Sequence, residues 1–227
     1  FEGNLQWARN IGTPDNPYGH AASLVMYRGT LLVQLDQAQE EDNKSRLIAL
    51  DMRSGKVLWS KGRPVGASWT SPILINTPGG DQLITCSNPW VIAYNPLTGT
   101  EIWRADCLEG DGGPSPTFAG GMVLATNVAS VLAAIKPDGR GNVTKTHIVW
   151  KAEDGLPDIA SPVSNGELVF LLATEGYVTC YDITNGAKLW EQDLETAFIS
   201  SPTVVGDNVY ITSRKGLTTV FAAARKY

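Results

Sequence analysis

The sequence predicts an all-β propeller built from four-stranded blades, and three repeated features carry that prediction. Tryptophans recur roughly every 40–50 residues, which is the length of one propeller blade. A Ser-Pro pair follows four of them, and short apolar strands bounded by Gly, Asn, Asp or Pro fill the intervals. The regularly spaced tryptophans are Trp7, Trp59, Trp103, Trp150 and Trp190.

The first and second strands of each repeat follow the Ser-Pro pair. These pairs stand at 71–72, 115–116, 161–162 and 201–202. After three of them a glycine turn leads into an apolar run, at 122–126, 167–173 and 208–212. The runs are short and rich in Val, Leu, Ile and Thr, so they predict strands and not helices.

The third and fourth strands are joined by a tight glycine turn. The third strand ends LIALD, VIAYN or VTCYD, and the turn glycines are Gly55, Gly99 and Gly186, each four residues before a tryptophan. In the third repeat the turn is longer, and only Trp150 is kept. The most helix-like run, 128–136, aligns with the third strand of that repeat, so we predict a strand there as well.

The two ends of the chain read as parts of one further repeat. The segment around Trp7 looks like a fourth strand, and 217–224 looks like a third strand. Pairing them would close a ring of about five blades and cover every sheet edge. We therefore predict one domain over 1–227. An arc of a larger propeller and unrelated strands of a β-sandwich are the alternatives.

Composition excludes several classes of protein. Apolar residues make up 43% of the chain and charged residues 18%, which excludes a disordered chain. No apolar run is long enough for a membrane span. The net charge of −5 argues against nucleic-acid binding, which needs a basic face. The three cysteines, Cys86, Cys107 and Cys180, form no CxxC pair and are predicted to be buried thiols.

The pattern Ala-x-Asp/Asn-x-x-Ser/Thr-Gly-x3-Trp at 49–59 and 93–103 resembles the tryptophan-docking motif of pyrroloquinoline-quinone-like (PQQ-like) propeller repeats. A variant beginning with Cys180 recurs at 180–190. The resemblance implies the fold of quinoprotein dehydrogenases, with each indole lying over the next blade, where a glycine leaves room. It also implies a periplasmic or secreted protein, although the chain begins without a signal-peptide pattern, and a parent propeller of seven or eight blades.

Catalysis is not what the motifs indicate. Quinone-dependent dehydrogenases with this fold resemble one another in three features: a vicinal Cys-Cys disulfide, a calcium site and a tryptophan that lies beneath the quinone. This chain has no adjacent cysteines. His20 and His147 are the only histidines and are distant in sequence. We therefore expect no cofactor and no catalytic or metal site, with PQQ and calcium as the alternative.

Binding residues are expected on the face that carries the longer loops, where strands four-to-one and two-to-three are connected. The candidates are His20, Asp36, Trp69, Trp90, Asp111, Glu175 and Arg214. Residues 36–43 are expected to form a solvated acidic loop. The favoured hypothesis is a non-catalytic scaffold that binds a protein segment or a small extracytoplasmic ligand. A PQQ-dependent oxidoreductase and a structural fragment of a larger multidomain repeat protein are the alternatives.

Overall fold

A computed structural model describes residues 2–227, which form five sheets in chain order. We call these sheets blades 1 to 5. Blade 1 consists of β1 (Val25–Tyr27), β2 (Thr30–Leu35), β3 (Arg46–Asp51) and β4 (Val57–Gly62). Blade 2 consists of β5 (Ile73–Thr77), β6 (Gly80–Ser87), β7 (Trp90–Tyr94) and β8 (Glu101–Asp106). The single helical element among the described residues is a 3-10 turn, Glu40–Asp42, between β2 and β3.

The remaining blades follow the same meander. Blade 3 consists of β9 (Thr117–Ala119), β10 (Met122–Thr126), β11 (Leu132–Ile135) and β13 (Ile148–Ala152), with a two-residue strand β12 (Gly141–Asn142) inserted before β13. Blade 4 consists of β14 (Val163–Ser164), β15 (Leu168–Leu172), β16 (Tyr177–Asp182) and β17 (Lys188–Asp193). Blade 5 has three strands, β18 (Thr203–Val205), β19 (Asn208–Thr212) and β20 (Thr218–Ala222). Over residues 2–227 no helix has the length and hydropathy to cross a membrane. The all-β propeller architecture is thus confirmed.

The turn between strands three and four is held by the Asp or Asn of each motif. Asp51 Oδ1 accepts hydrogen bonds from the backbone N–H of Ser54 at 2.8 Å and from its hydroxyl at 2.6 Å. In blade 4 the Thr184 hydroxyl, followed by Arg225, lowers the pKa of Asp182 to about 2. These side chains hold the turn that presents the motif glycine.

Indoles lie on glycines across the blade boundaries. A Cβ added to Gly99 in blade 2 would lie 2.6 Å from Trp59 Cζ3 of blade 1. The same close approach brings Trp150 onto Gly186, and the Trp150 indole N–H donates to the Ile183 carbonyl at 2.8 Å. Trp59 and Trp150 therefore pack against the next blade in the chain at a distance that only glycine allows.

The predicted closure of a five-blade ring is wrong. Blade 5 keeps the order β18-β19-β20, and residues 2–24 contain no strand. Trp7 lies on blade 1, where its indole covers Gly55 and donates to the Met52 carbonyl at 2.9 Å. The segment around Trp7 does not pair with β20, whose partner among the described residues is β19. The five sheets therefore form an arc, the alternative derived from the sequence.

The long turn of the third repeat has its own structure. Instead of a tight glycine turn, β12 pairs in parallel with β8 and gives blade 2 a fifth strand. Trp103 is fully buried and donates to Gln82 Oε1 at 2.9 Å, while Gln82 donates to the Pro137 carbonyl at 2.8 Å. The insertion thus joins blades 2 and 3 through the two successive hydrogen bonds of Gln82 instead of an indole-on-glycine contact.

Serines form a ladder along the inner strands. The backbone N–H of Ser71 donates to Ser115 Oγ at 2.8 Å, and Ser115 and Ser161 donate in the same way to the next serine at 2.9 Å. Ser23 begins the ladder by donating to Ser71 Oγ at 2.9 Å, and Ser201 ends it. The serine of each Ser-Pro pair therefore links its blade to the neighbouring ones.

The apolar core lies between neighbouring blades. Every residue of β10 and β15 is buried, because both faces of these strands are covered. In β19 only Val209 and Ile211 are buried, because blade 4 covers one face of blade 5 and the other is open. The three cysteines are buried free thiols, as predicted.

Gly99→Ala tests the indole-on-glycine contact. Its φ of +66° costs an alanine about 1 kcal/mol, and displacing Trp59 costs about 1–3 kcal/mol more. We expect a matched Gly206→Ala variant, with φ +57° and nothing within 4 Å of the added Cβ, to show only the first cost. Equal urea-unfolding midpoints for the two variants would contradict the contact.

Candidate functional site

A cavity of about 510 Å³ opens on the face that carries the longer loops. Its walls come from the two-to-three connections of blades 1 and 2, from the four-to-one connections that follow these blades, and from the N-terminal segment. We call it the loop-face cavity. Because five separate chain segments meet there, its shape depends on how blades 1 to 3 are held together.

One wall of the loop-face cavity is aromatic. Trp69 lines it, and the Tyr18 ring lies at a centroid distance of 5.2 Å from the Trp69 ring, tilted by 53°. The Trp69 indole N–H donates to the Gly19 carbonyl at 3.1 Å, and its backbone N–H donates to Gly112 at 2.9 Å. Tyr18 is 77% exposed and lies beside the cavity, so Trp69 is the aromatic residue that the cavity itself presents to an incoming molecule.

The loop that carries Trp69 is fixed by a buried polar network. The residues on both sides of it, Ser68 and Thr70, are buried. The Ser68 hydroxyl donates to Asp36 Oδ2 at 2.8 Å, and the Gln34 amide N–H donates to both Asp36 and Thr70, at 2.8 and 3.2 Å. Trp69 is therefore held from beneath by blade 1.

A buried ion pair lies at the centre of that network. Arg63 donates to both carboxylate oxygens of Asp36, at 2.6 and 3.1 Å, and to Thr85 Oγ1 at 2.8 Å. Its guanidinium lies 5.4 Å from the centre of the Tyr94 ring. Burial is the largest single influence and lowers the pKa of Arg63, but the charge of Asp36, the nearby Tyr94 and the hydrogen bonds to Asp36 together outweigh it and raise that pKa above its ordinary value. The Arg63 guanidinium therefore stays charged, and its contacts are structural.

The rim of the loop-face cavity is acidic. Glu40, Glu41 and Asp42 lie on the 3-10 turn, and Asp111 faces them from the loop after β8. A fifth carboxylate, Asp15, is paired with Lys44 at 2.6 Å. The other four have no salt-bridge partner in the described part of the chain. The rim therefore favours cationic groups over anionic ones.

Ala38 adopts strained backbone at the cavity wall. Its φ is +58°, in the left-handed region, which costs a residue with a Cβ roughly 1–2 kcal/mol. Two hydrogen bonds hold it there, since its N–H donates to the Asp15 carbonyl at 2.7 Å and its carbonyl accepts from Ala67 at 2.9 Å. Such strain is typical of binding loops that a rigid scaffold shapes.

Two of the residues predicted to bind a ligand, Trp69 and Asp111, line the loop-face cavity together. His20 directly follows Gly19, whose carbonyl accepts from the Trp69 indole. Neither ring nitrogen of His20 has a hydrogen-bond partner among the described residues. Asp36 is different: it was expected in a solvated loop, and its side chain is fully buried. Asp36 is buried because its carboxylate forms an ion pair with the buried Arg63 guanidinium.

The other predicted residues lie outside this cavity. The Trp90 ring stacks under the Arg104 guanidinium at 5.0 Å. Glu175 lines a separate cavity of about 400 Å³ in blade 4, and Arg214 is exposed in blade 5, its backbone N–H donating to the Ala197 carbonyl. Sequence reasoning missed Asp15 and Ala38, because no local pattern marks a residue whose role depends on a contact with another segment.

The expectation that the chain binds neither PQQ nor calcium remains a prediction. Within residues 2–227, no three His, Cys, Asp or Glu side chains converge as metal ligands. Burial raises the pKa of the Cys107 and Cys180 thiols to about 12, so these groups are protonated and unreactive at neutral pH.

Arg63→Met tests whether the buried pair supports the site. We expect it to destabilise the fold by about 3–5 kcal/mol, because it leaves a buried carboxylate unpaired. Adding Asp36→Asn is expected to restore part of that loss. Arg104→Met, at the partly exposed pair with Glu101, is the matched control and is expected to cost at most about 1 kcal/mol. Additive losses in a double-mutant cycle, measured by urea unfolding, would contradict the coupling.

Comparisons with solved structures show what the arc is similar to. BamB from Moraxella catarrhalis superposes with a TM-score of 0.71 and 18% identity, over 97% of this chain and 64% of that one. Quinohemoprotein alcohol dehydrogenase from Comamonas testosteroni gives 0.64 and 13%, over 84% and 43%. The computationally designed Ika8 protein gives 0.65 and 12%, over 92% and 60%. The chain thus spans less than two thirds of each, and the likeness concerns the fold.

Sequence comparison assigns the family. No curated protein sequence gives a significant match. A sequence model described as outer membrane protein assembly factor BamB matches residues 43–144 and 143–226, which together make up most of the chain. With its repeated motifs, its four-stranded blades and this match, the chain belongs to the family described as outer membrane protein assembly factor BamB, among the PQQ-like β-propeller repeat proteins.

Proposed function

We propose that this protein is a non-catalytic scaffold that binds a segment of a partner protein in the loop-face cavity. The observation that carries the proposal is Trp69 in the cavity wall, packed against Tyr18, beside four carboxylates that have no salt-bridge partner among the described residues. The buried Asp36–Arg63 pair holds the Trp69 loop in place. Aromatic side chains next to polar rims are typical anchors in protein interfaces. The proposal needs no cofactor and no reacting group.

The chemistry of the cavity favours a cationic segment with apolar side chains. A Lys or Arg of the partner would meet Glu40, Glu41 or Asp111, and an adjacent apolar side chain would lie on Trp69. We favour a polypeptide over a small molecule because the cavity is mostly polar and open to solvent, whereas small-molecule sites are mostly apolar and enclosed.

The family membership supports the cellular role within this proposal. Its description names an outer membrane protein assembly factor. We infer that this chain acts outside the cytoplasm, in the periplasm, and that its partner belongs to the assembly of outer membrane proteins. A rigid propeller suits that role, because its loops can hold an unfolded segment without changing shape.

Site-specific photocrosslinking tests the proposal. A photoreactive phenylalanine is placed at Glu41 on the cavity rim or at Leu97 on the opposite, tight-turn face, in protein exported to a bacterial periplasm. We expect the Glu41 probe, and not the Leu97 probe, to label an outer-membrane assembly subunit or an unfolded outer-membrane protein, identified by mass spectrometry. Equal labelling from both faces would refute a specific site.

Trp69→Ala is expected to weaken binding of that labelled partner, or of its crosslinked peptide, at least tenfold. The reason is that truncating a buried aromatic anchor commonly costs about 2 kcal/mol or more. Trp90→Ala is the matched control, because Trp90 is also partly exposed but stacks on Arg104 outside the cavity. Isothermal titration calorimetry at two salt concentrations measures both variants. Unchanged affinity in Trp69→Ala rules out the aromatic wall as the site.

A further inference from the structure

A second cavity, of about 440 Å³, lies between blades 2 and 3 on the face that carries the tight turns. Its walls come from the β5–β6 turn, from β9 and the turn that follows it, and from the insertion that begins at Lys136. We call it the turn-face cavity. It shares no lining residue with the loop-face cavity, and blades 2 and 3 both pack against a neighbouring blade on each side. The turn-face cavity is therefore a separate feature in the middle of the arc.

The insertion of the third repeat supplies one wall of the turn-face cavity. In blades 1, 2 and 4 a short turn joins the third strand to the fourth, and an indole lies on its glycine. In blade 3 the chain instead runs through residues 136–147 between β11 and β13, and 136–140 line the cavity. No other blade of residues 2–227 has such an insertion, so this wall is particular to the junction of blades 2 and 3.

The lining of the turn-face cavity is mainly apolar. Three residues with rings line it, Pro78, Phe118 and Pro137, together with Gly79 and Gly121. Phe118 packs against the apolar core on one side and is only partly buried. A cavity of this size with apolar walls and few polar groups is typical of small-molecule sites. The turn-face cavity differs in this respect from the loop-face cavity, whose lining is mostly polar.

Gln82 lines the turn-face cavity and has an unused hydrogen-bond donor. Its side chain is buried, at 5% exposure, and its Oε1 accepts from the Trp103 indole N–H at 2.9 Å. Because an indole nitrogen can only donate, this contact fixes which end of the amide is the oxygen. The amide nitrogen donates one N–H to the Pro137 carbonyl at 2.8 Å, and its second N–H has no acceptor among residues 2–227. A buried donor without an acceptor is costly, so this wall favours a ligand that brings an oxygen acceptor.

Two cationic side chains line the turn-face cavity. Lys136 and Arg140 are both exposed, and neither has a salt-bridge partner in the part of the chain that the structure describes. Among the described lining residues the one carboxylate is Asp138, whose Oδ1 lies 3.6 Å from His147 Nε2. Two cations and one carboxylate leave the lining with a net positive charge of one, so it favours a ligand with a single negative charge.

We propose that the turn-face cavity binds a small aromatic carboxylate. The aromatic ring lies against Phe118 and the two prolines of the wall. One carboxylate oxygen accepts the unused N–H of Gln82, and the charge of the carboxylate is balanced by Lys136 and Arg140 at the opening. This binding site is independent of the partner-binding proposal, because the two cavities open on opposite faces and have no residue in common.

The shape and the charge of the lining favour this class of ligand over its alternatives. A rigid ring loses little conformational freedom on binding, and its flat faces suit the rings of the wall. A carboxylate carries one negative charge and can pair with both N–H groups of a guanidinium such as that of Arg140. A phosphate monoester carries about −1.5 to −2 at neutral pH, which the net charge of the lining balances only in part. An amine would be repelled by Lys136 and Arg140.

A titration with 1-naphthoate, followed by NMR of the assigned indole N–H signals, tests both the binding and its place. We expect a saturable shift of the Trp103 signal, because this indole donates to the Gln82 amide that contacts the ligand, and no shift of the Trp69 signal in the loop-face cavity. The dissociation constant is expected to lie below about 1 mM, as for other ligands of this size. The neutral 1-naphthylmethanol is expected to bind at least about fivefold more weakly, because hydrogen bonds to a charged group are stronger than those between neutral groups.

Charge-removing variants complete the test. The double variant Lys136→Gln, Arg140→Gln is expected to bind 1-naphthoate no more tightly than 1-naphthylmethanol, and it should fold, since both side chains are exposed. Lys145→Gln, an exposed cation of the same insertion outside the cavity, is the matched control and is expected to bind 1-naphthoate normally. The proposal is overturned by the absence of a saturable Trp103 shift, by a shift of Trp69 instead, or by an equal loss of affinity in Lys145→Gln. Equal binding of the alcohol by the unaltered protein, or tighter binding of 1-naphthyl phosphate, overturns the choice of a carboxylate.

Discussion

The contact between an indole and a glycine of the next blade fixes the spacing of the sheets on which the rest of the structure depends. Each blade is a small sheet that cannot bury both faces alone. Trp59 on Gly99 and Trp150 on Gly186 hold the outer strands together, and the serine ladder holds the inner strands. The apolar side chains between the blades are buried because these two rows of contacts keep the sheets close.

The loop-face cavity is a consequence of that packing. Its walls come from blades 1 and 2, the loop that leads into blade 3 and the N-terminal segment, so none of them forms it alone. The Asp36–Arg63 pair adds a local constraint beneath Trp69. Replacing an ion pair of this kind by apolar residues often leaves a fold as stable, so its value here is the defined position it gives the Trp69 loop.

The similar structures illustrate how little the sheets say about function. An assembly factor, an alcohol dehydrogenase and a designed protein share the arrangement of blades with this chain at 12–18% identity. What differs among such proteins is carried by loops and by side chains at the blade ends. For this chain those are the aromatic pair Tyr18–Trp69 and the acidic 3-10 turn, and they form the basis of the proposed partner.

The amino-acid sequence by itself determined the class of fold and most strand positions. Runs such as 122–126 and 208–212 are strands as predicted, because apolar β-formers bounded by turn residues depend on local physics. Only the tertiary structure decided the burial of Asp36, whose partner Arg63 comes from another strand, and the open edge of β20, which Trp7 does not reach. Both depend on which distant segments meet, and spacing along one chain does not encode that choice.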